Sequence, residues 1–337
     1  MRPPRSVLAL AAVTAVAALT AGCGGARGQA AAEATTAAGA TAAPPSTAPP
    51  STAPAPTSTA PATSAPTTSA VAPRPPYAIG SLTIPLVDLS RPTVANGVEI
   101  SPHRALTTVV LVPDAPGRRP LIVFGPGFDV GPPTYAALLD AWAEHGYVVA
   151  AVEFPLADPA VAGANLDESD LQNEPADLRY VTDALVAPSS PVTARIDASR
   201  VAVAGHSDGG EAALAACVQP APPGTPPFRA CITMSVQPLP DKPPTANAPI
   251  LFTQGDADTI NPPSYGYSAF ADASPPKYLE VLHGGGHLPP LEQGSPWLPT
   301  LCSVTEAFLD AYVAGDAPVS AVLAAGNHPP LATITPG

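Results

Sequence analysis

Short apolar runs alternate with amphipathic segments along most of the chain. The apolar runs, which are typical of buried strands, cover residues 107–114, 121–127, 148–155, 200–205, 231–236, 249–255 and 277–286. Apolar residues recur at helical spacing in segments 135–147, 174–187, 211–217 and 297–315. This alternation predicts an α/β fold with a mostly parallel sheet that helices cover on both faces. Ligands of such sheets bind beyond the carboxyl ends of the strands, so residues that directly follow a strand are candidates for function.

The N-terminal segment follows a different pattern. Arg2 and Arg5 precede an apolar run that is too short for a stable membrane span, so residues 1–22 predict a secretory signal peptide. The small residues before Cys23 are typical of a bacterial lipoprotein signal, which would leave Cys23 as the lipid-modified N-terminus of the mature chain. The alternative is an ordinary signal peptide followed by an incidental cysteine.

Residues 23–76 comprise this cysteine and a segment made almost entirely of Ala, Pro, Thr, Ser and Gly. Such a composition buries too little apolar surface to offset chain entropy, so we expect a disordered linker that its prolines keep extended. A folded domain at residues 77–315 and a C-terminal tail at 316–337 are expected to follow. The anchor and the linker predict an extracytoplasmic domain, tethered to the bacterial cell membrane through the lipid only.

The charge and the cysteines narrow the choice of partner and compartment. Residues 71–337 carry 26 Asp and Glu residues against 11 Lys and Arg residues, which argues against a nucleic acid as partner. If Cys23 carries lipid, Cys217, Cys231 and Cys302 remain. In an oxidising compartment we expect one disulfide, between Cys217 and Cys231, and one buried thiol. A domain of this size buries a large core without needing a metal.

The stretch Gly205-His206-Ser207-Asp208-Gly209 lies between an apolar run and a small-residue helix. It fits the G-x-S-x-G pattern, in which a strained serine at a sharp strand-to-helix turn is the nucleophile. Glycines are needed there because side chains on either flank of the serine would collide with neighbouring elements. The alternative is a plain Gly-rich turn, which the flanking strand and helix disfavour. Ser207 is therefore the predicted nucleophile.

A nucleophilic serine needs a base and a group that orients the base. His287 ends a Gly-rich loop after the last predicted strand, where its ring can reach over the strand ends, whereas His283 is expected to belong to that strand or its edge. Asp256 and Asp258 follow strand 249–255, and spacing alone does not choose between them. The order Ser, Asp, His along the chain is the one expected for this fold class. The alternative for the two aspartates is a solvated turn or a weak calcium loop.

Acyl transfer also needs backbone N–H groups that stabilise the oxyanion. The N–H of Asp208, the residue after the nucleophile, is the first expected donor. The second should come from the loop 125–128, which follows an apolar run and reads Gly-Pro-Gly-Phe, and we expect the N–H of Phe128. The alternative for this loop is an ordinary turn.

Residues 120–312 resemble an α/β-hydrolase and are similar to bacterial cutinase-like polyester hydrolases and to platelet-activating-factor acetylhydrolase-like lipases. The similar pieces are LIVFGPGF, AEHGYVVAAVEFP, RVAVAGHSDGG, GDADTINPP, GGGHLPP and TEAFLDAYVAGD. In that family the acid lies four residues before the proline of D-T-I-x-P, which implies Asp258 here. Asp208 stands where the family usually has Met, and Gln237 stands near the place of a Trp that lines the cleft. The resemblance implies ester hydrolysis but not a polymer substrate.

These observations predict a lipid-anchored serine hydrolase that cleaves carboxylic esters through an acyl-enzyme. Ser207 attacks, His287 transfers the proton, Asp258 orients His287, and the N–H groups of Phe128 and Asp208 hold the oxyanion. We expect a monomer that acts on a small-molecule or lipid-like ester and needs no cofactor or metal. The alternatives are hydrolysis of a lactone, thioester or amide, cofactor-free perhydrolysis, and a surface-tethered binding protein that has the fold without turnover.

Overall fold

A computed structural model describes residues 76–240 and 248–337. The predicted signal peptide, Cys23 and the linker up to residue 75 lie outside the described residues. The described strands are β1 (Ile79–Asp88), β2 (Thr93–Ala95), β3 (Val98–Ser101), β4 (Arg104–Pro113), β5 (Arg119–Gly125), β6 (Val148–Val152), β7 (Ile196–His206), β8 (Phe228–Met234), β9 (Ile250–Gly255), β10 (Lys277–Leu282) and β11 (Ala332–Pro336). The described helices are α1 (Ala136–His145), α2 (Pro159–Ala162), α3 (Glu174–Val186), α4 (Asp208–Val218), α5 (Pro263–Asp272), α6 (Leu298–Leu309) and α7 (Ser320–Ala325).

Nine of the strands in the described part of the chain form one sheet, in the order β1-β4-β6-β5-β7-β8-β9-β10-β11. The strands from β6 through β10 in that order pair in parallel. Antiparallel pairs occur at both edges, between β1, β4 and β6 on one side and between β10 and β11 on the other. This arrangement confirms the expected α/β-hydrolase fold, with a mostly parallel sheet at its centre.

Two apolar layers, one on each face of the sheet, form the core. Leu178 of α3 and Ala212 of α4 belong to one layer, and Trp142 of α1 and Phe308 of α6 belong to the other. Successive residues of a strand alternate between the layers, as Val203 and Ala204 do in β7. Because both faces are covered, the central strands are continuously apolar. This explains why they were the clearest elements in the sequence.

The apolar runs and amphipathic segments predicted the central elements, with boundaries that shift by a few residues. The sequence did not predict the edge strand β1 or the helix α5. Only one side of β1 is covered by the core, and α5 contains Gly266 and begins at Pro263, so neither has a strong pattern. The segment 316–337, set apart as a tail, contributes α7 and the strand β11, which pairs with β10.

The structure corrects the expected disulfide. Cys217 at the end of α4 and Cys231 in β8 are both buried free thiols, and Cys302 of α6 is also free. Burial, together with the neighbouring Cys217 thiol, raises the pKa of Cys231 well above its usual value. The order of elements thus correctly predicted that Cys217 and Cys231 are neighbours, but the predicted disulfide between them was wrong. The two thiols instead pack in the core as small apolar groups.

Candidate active site

Ser207 occupies the turn between β7 and α4. Its backbone has φ 54° and ψ −127°, a combination that costs free energy for any residue with a side chain. The Ser207 N–H donates to the carbonyl oxygen of Met234 in the neighbouring strand at 2.9 Å, and the Ser207 carbonyl accepts from the N–H of Glu211 at 2.9 Å. Bonds on both sides of the turn hold it in this strained form. The sharp turn that the G-x-S-x-G pattern predicts is therefore present.

The glycines around this turn allow three backbone segments to meet. A Cβ at Gly205 would overlap the carbonyl oxygen of Gly209, and a Cβ at Gly209 would overlap the carbonyl oxygen of Gly125. At Gly127, a Cβ would lie 3.1 Å from the Cβ of Ser207. The loop after β5 and the turn after β7 are thus packed backbone against backbone. This packing brings the loop that contains Phe128 next to the serine.

Asp258 follows β9, and its carboxylate meets the ring of His287 from the loop after β10. Oδ2 of Asp258 lies 2.8 Å from Nδ1 of His287. Oδ1 accepts the backbone N–H groups of Ile260 and Asn261, each at 2.9 Å, and Nε2 of Gln254 lies 3.4 Å from Oδ2. Because the carboxylate accepts at Nδ1, that nitrogen carries the hydrogen and Nε2 is left as the basic atom of the ring.

Ser207 and His287 line one cavity of about 240 Å³. It lies at the turn after β7 and the loop after β10, and so at the carboxyl ends of parallel strands, where this class of sheet binds its ligands. The lining combines apolar, amide and acidic side chains, including Phe128, Val130, Gln237, Ile260, Leu288, Glu168 and Asp208. The structure therefore brings the predicted nucleophile and base to one cavity, and the predicted acid lies behind the base.

The two predicted oxyanion donors also line this cavity. Within residues 76–240 and 248–337, the backbone N–H groups of Phe128 and Asp208 donate no hydrogen bond. Asp208 is the first residue of α4, and the first N–H groups of a helix have no acceptor inside the helix. Phe128 lies in the loop packed against the nucleophile turn. Both N–H groups are thus free to bind an oxygen of a ligand.

Asp256, the alternative acid, belongs to a separate pair. Its Oδ2 lies 2.8 Å from Nδ1 of His283, and its Oδ1 accepts the N–H of Gly284 at 2.6 Å. Nε2 of His283 in turn lies 3.0 Å from the hydroxyl of Thr333 in β11. The hydrogen bond with His283 lowers the pKa of Asp256. This half-exposed pair connects the loops after β9 and β10 to the C-terminal strand.

Carboxyl groups surround the nucleophile on the α4 side. Burial raises the pKa of Asp208 to about 6, and the charge of Glu168 adds to this effect. Burial and the neighbouring Asp208 raise the pKa of Glu211 to about 7. Above these values the mouth of the cavity becomes increasingly negative. Such a field disfavours anionic substrates.

The sequence did not point to Gln254 and Asn261, which hold the acid in place. Nε2 of Gln254 donates to the carbonyl oxygen of Asn261 at 3.2 Å, and Nδ2 of Asn261 donates to the carbonyl oxygen of Ser235 at 2.6 Å. The first bond connects the loop that carries Asp258 to β9, and the second connects it to the loop after β8. The sequence signal that could have identified them is their position, since both lie within four residues of Asp258.

No described helix is long and apolar enough to cross a membrane. Likewise, no group of three or more His, Cys, Asp or Glu side chains within residues 76–240 and 248–337 is placed to hold a metal ion.

Comparison with known proteins agrees with this architecture. Residues 77–240, just under half of the chain, match the family model described as chlorophyllase. The match includes the turn that carries Ser207, whereas Asp258 and His287 lie beyond it. A search of curated proteins found no match. Sheet topology and family match together define the chain as an α/β-hydrolase. The match also supports the hydrolysis of ester bonds as its general activity.

Proposed function

We propose that the protein is a serine hydrolase that cleaves carboxylic esters through an acyl-enzyme. One observation carries the proposal: the 2.8 Å contact between Asp258 and His287 stands at the cavity that also contains Ser207. Nucleophile, base and orienting acid come from three different strand ends, in the chain order typical of α/β-hydrolases. No purely structural role requires a strained serine to share a cavity with a histidine oriented by an aspartate.

In the first half of the reaction, Oγ of Ser207 attacks the acyl carbon of the ester. Nε2 of His287 takes the hydroxyl proton, and the Asp258 carboxylate stabilises the resulting imidazolium through Nδ1. The carbonyl oxygen of the ester becomes an oxyanion, which the N–H groups of Phe128 and Asp208 stabilise. When the tetrahedral intermediate collapses, His287 delivers its proton to the leaving alcohol and the acyl group stays on Ser207.

In the second half, water replaces the alcohol. His287 removes a proton from the water as its oxygen attacks the acyl carbon, and the oxyanion forms again between the same two N–H groups. Collapse of this intermediate breaks the bond to Oγ of Ser207, which takes back the proton from His287. The carboxylic acid leaves, and the enzyme returns to its starting state without a cofactor.

The proposed substrates are short neutral esters. A cavity of about 240 Å³ accommodates a small acyl group, and the carboxyl groups of Asp208 and Glu168 at its edge disfavour an anionic one. Among the described residues that line the cavity, the aromatic side chains are Phe128, His206 and His287. A crystalline aromatic polyester should therefore be cleaved poorly or not at all, and release of soluble products from such a film would contradict this assignment.

We also propose that the enzyme works as a monomer outside the cytoplasm, anchored to the bacterial cell membrane through lipid on Cys23. The support for the anchor is the sequence of residues 1–23. The support for the monomer is that one chain supplies every residue assigned a catalytic role. Gel filtration of a variant that begins at residue 77 would test the second point, and dimerisation of that variant would contradict it.

The direct test of the activity is a series of p-nitrophenyl esters with acyl chains of graded length. Wild type should hydrolyse the shortest ones fastest, and Ser207→Ala should reduce kcat to near the uncatalysed level. If the esters are not hydrolysed but a lactone, thioester or amide is, the result would favour hydrolysis of that other type of acyl bond. If no acyl compound is cleaved and Ser207 is unreactive, the protein is a binding protein with the hydrolase fold.

A further inference from the structure

His206, the residue before the nucleophile, connects two loops of the site through its buried side chain. Nδ1 of His206 lies 2.9 Å from the hydroxyl oxygen of Tyr135, and Nε2 lies 3.0 Å from the backbone carbonyl oxygen of His287. The same Tyr135 oxygen accepts the backbone N–H of Gly127 at 3.1 Å. One uninterrupted series of hydrogen bonds thus runs from Gly127, next to the expected oxyanion donor Phe128, to the backbone of the catalytic base.

The direction of each hydrogen bond in this series is determined by its ends. The carbonyl oxygen of His287 can only accept, so Nε2 of His206 carries a hydrogen and donates it. Burial, together with the nearby His287 ring, lowers the pKa of His206 to about 3, so its ring is neutral and Nδ1 is an acceptor. The hydroxyl of Tyr135 must then donate to Nδ1, which leaves its oxygen free to accept from Gly127. Each hydrogen bond of the series therefore has one defined donor and one defined acceptor.

Among residues 76–240 and 248–337, no hydrogen bond joins the loop after β5 directly to the loop after β10. The loop after β5 carries Gly127 and the loop after β10 carries His287, and β7, β8 and β9 lie between these two strands. His206 ends β7, and both His206 and its hydrogen-bond partner Tyr135 are buried, exposing 1% and 0% of their surfaces. The rings of His206 and His287 lie 4.6 Å apart between centroids. A rigid contact of this kind can set the distance between the loops.

We propose that His206 is a positioning residue, which sets the backbone of His287 against the oxyanion loop through Tyr135 and Gly127. The proposal rests on the proposed function, because it assigns a role within the same reaction. Acyl transfer requires the base and the oxyanion donors to keep their places around one tetrahedral centre, and a displacement of about 1 Å can cost on the order of 10²-fold in rate. The proposed role of His206 acts through the backbone of His287 and not through contact with the reacting atoms of the substrate.

The test compares two substitutions at His206. His206→Leu keeps an apolar side chain of similar length but removes both hydrogen bonds. His206→Gln can replace both, since its carbonyl oxygen accepts from Tyr135 and its amide N–H donates to His287. We expect His206→Leu to lower kcat for a short p-nitrophenyl ester by roughly 10- to 100-fold with KM within about twofold of wild type. The kcat of His206→Gln should be about tenfold higher than that of His206→Leu, or more.

Tyr135→Phe tests the same series with the loss of a single oxygen, and so guards against a folding defect at His206. It should lower kcat by roughly 10-fold, and the double variant Tyr135→Phe with His206→Leu should be no slower than His206→Leu alone, because both break one series. Matched controls are Tyr147→Phe, which removes the 2.7 Å bond of another buried tyrosine to Asp310, and His103→Leu, at an exposed histidine. Both should keep wild-type kcat.

Circular dichroism and melting temperature identify variants that have lost the fold. Folded Tyr135→Phe and His206→Leu with wild-type kcat would overturn the positioning role, as would full additivity of the two losses. A purely structural role would lower melting temperature while His206→Gln and His206→Leu kept equal kcat values, and that result would also overturn it. If wild type itself hydrolyses no ester, the proposed function fails before the role of His206 is tested.

Discussion

Nδ1 of His287 lies 2.8 Å from Oδ2 of Asp258, although the two residues are 29 positions apart in the chain. The acid comes from the loop after β9 and the base from the loop after β10, and these strands are parallel neighbours. Their carboxyl ends therefore meet at one edge of the sheet. A second contact of the same length joins Asp256 to His283 nearby, so the structure contains two Asp–His pairs at this edge.

Asp258→Asn should damage catalysis far more than Asp256→Asn. Loss of the orienting carboxylate from a Ser-His-Asp triad lowers kcat by a factor on the order of 10²–10⁴, with little change in KM. The reason is that an amide in its place does not hold the histidine in the tautomer that catalysis requires. Asp256 pairs with His283 instead, so Asp256→Asn should lose less than about tenfold, mainly through loop stability. Kinetics of both variants on one soluble ester check this. The assignment is wrong if Asp256→Asn is the slower enzyme.

Substrate charge should affect the rate in a pH-dependent way. The pKa of Asp208 is raised to about 6, so its carboxyl is largely neutral below that pH and becomes negative above it. We expect kcat/KM for a succinate monoester, relative to a neutral ester of equal length, to fall roughly three- to tenfold as pH rises from 5.5 to 7.5. The ratio cancels the titration of the base, which both substrates share.

Asp208→Asn is the control for that experiment, since it keeps the backbone N–H and removes the charge. It should flatten most of the pH dependence of the ratio, and the remainder should report Glu211, whose pKa is raised to about 7. An unchanged slope in Asp208→Asn would show that this carboxyl does not act on the substrate.

A buried carboxyl of β10 should make the fold less stable at alkaline pH. Burial raises the pKa of Glu280 to about 8; one of its oxygens lies 3.4 Å from the hydroxyl of Thr300, and the other has no hydrogen-bond partner among the described residues. The folded state keeps a proton that the unfolded state releases near its usual pKa. Stability from this group is therefore present at acid pH and is lost as pH rises towards and through 8.

Glu280→Gln removes this titration. Its melting temperature should rise relative to wild type between pH 5 and pH 8.5, as differential scanning fluorimetry can measure. Glu292→Gln, at an exposed glutamate, is the matched control and should show no such trend. A difference between Glu280→Gln and wild type that is the same at every pH would contradict the assignment.

Cys23→Ser tests the proposed anchor. The wild-type protein should partition into the detergent phase and be recovered with membranes, whereas Cys23→Ser should be released or mislocalised, because it has no thiol to acylate. Mass spectrometry of the mature N-terminus gives an independent readout. A mature chain that begins elsewhere and carries no acyl group would rule out the anchor.

The parts of the site that could be predicted are those with a local signal. Ser207 was predictable because its strand, its flanking glycines and its helix are contiguous in sequence. Spacing alone did not choose between Asp258 and Asp256, since both follow the same strand and the partner of each lies 27 to 29 positions away. Asp258 was favoured by the family resemblance, by its position further past the strand end, and because Asp256, directly after Gly255, is well placed for a local turn bond. The disulfide prediction was wrong for a related reason. Adjacent elements bring Cys217 and Cys231 together, but adjacency does not decide whether the thiols bond.

Other parts of the site depend on contacts that no spacing shows. The bond between Tyr135 and His206 spans 71 positions, and the one between Asn261 and Ser235 spans 26. In each case the side chain gained its role from the way the sheet places neighbouring loops, and the local sequence does not show which distant residue it contacts. The edge strand β1 also lacked a clear signal, because it contains Pro85, a residue that disfavours a strand in sequence-based prediction, and half of its side chains face away from the core.

The most direct test of the central claim is reaction with a fluorophosphonate probe, followed by peptide mass spectrometry. We expect one adduct, on Ser207 of the folded wild-type protein, and loss of ester hydrolysis in proportion to the fraction labelled. His287→Ala should react far more slowly, because Oγ then lacks its base. An adduct on a different residue, or hydrolysis that continues at the wild-type rate in Ser207→Ala, would contradict the assignment of Ser207 as the nucleophile.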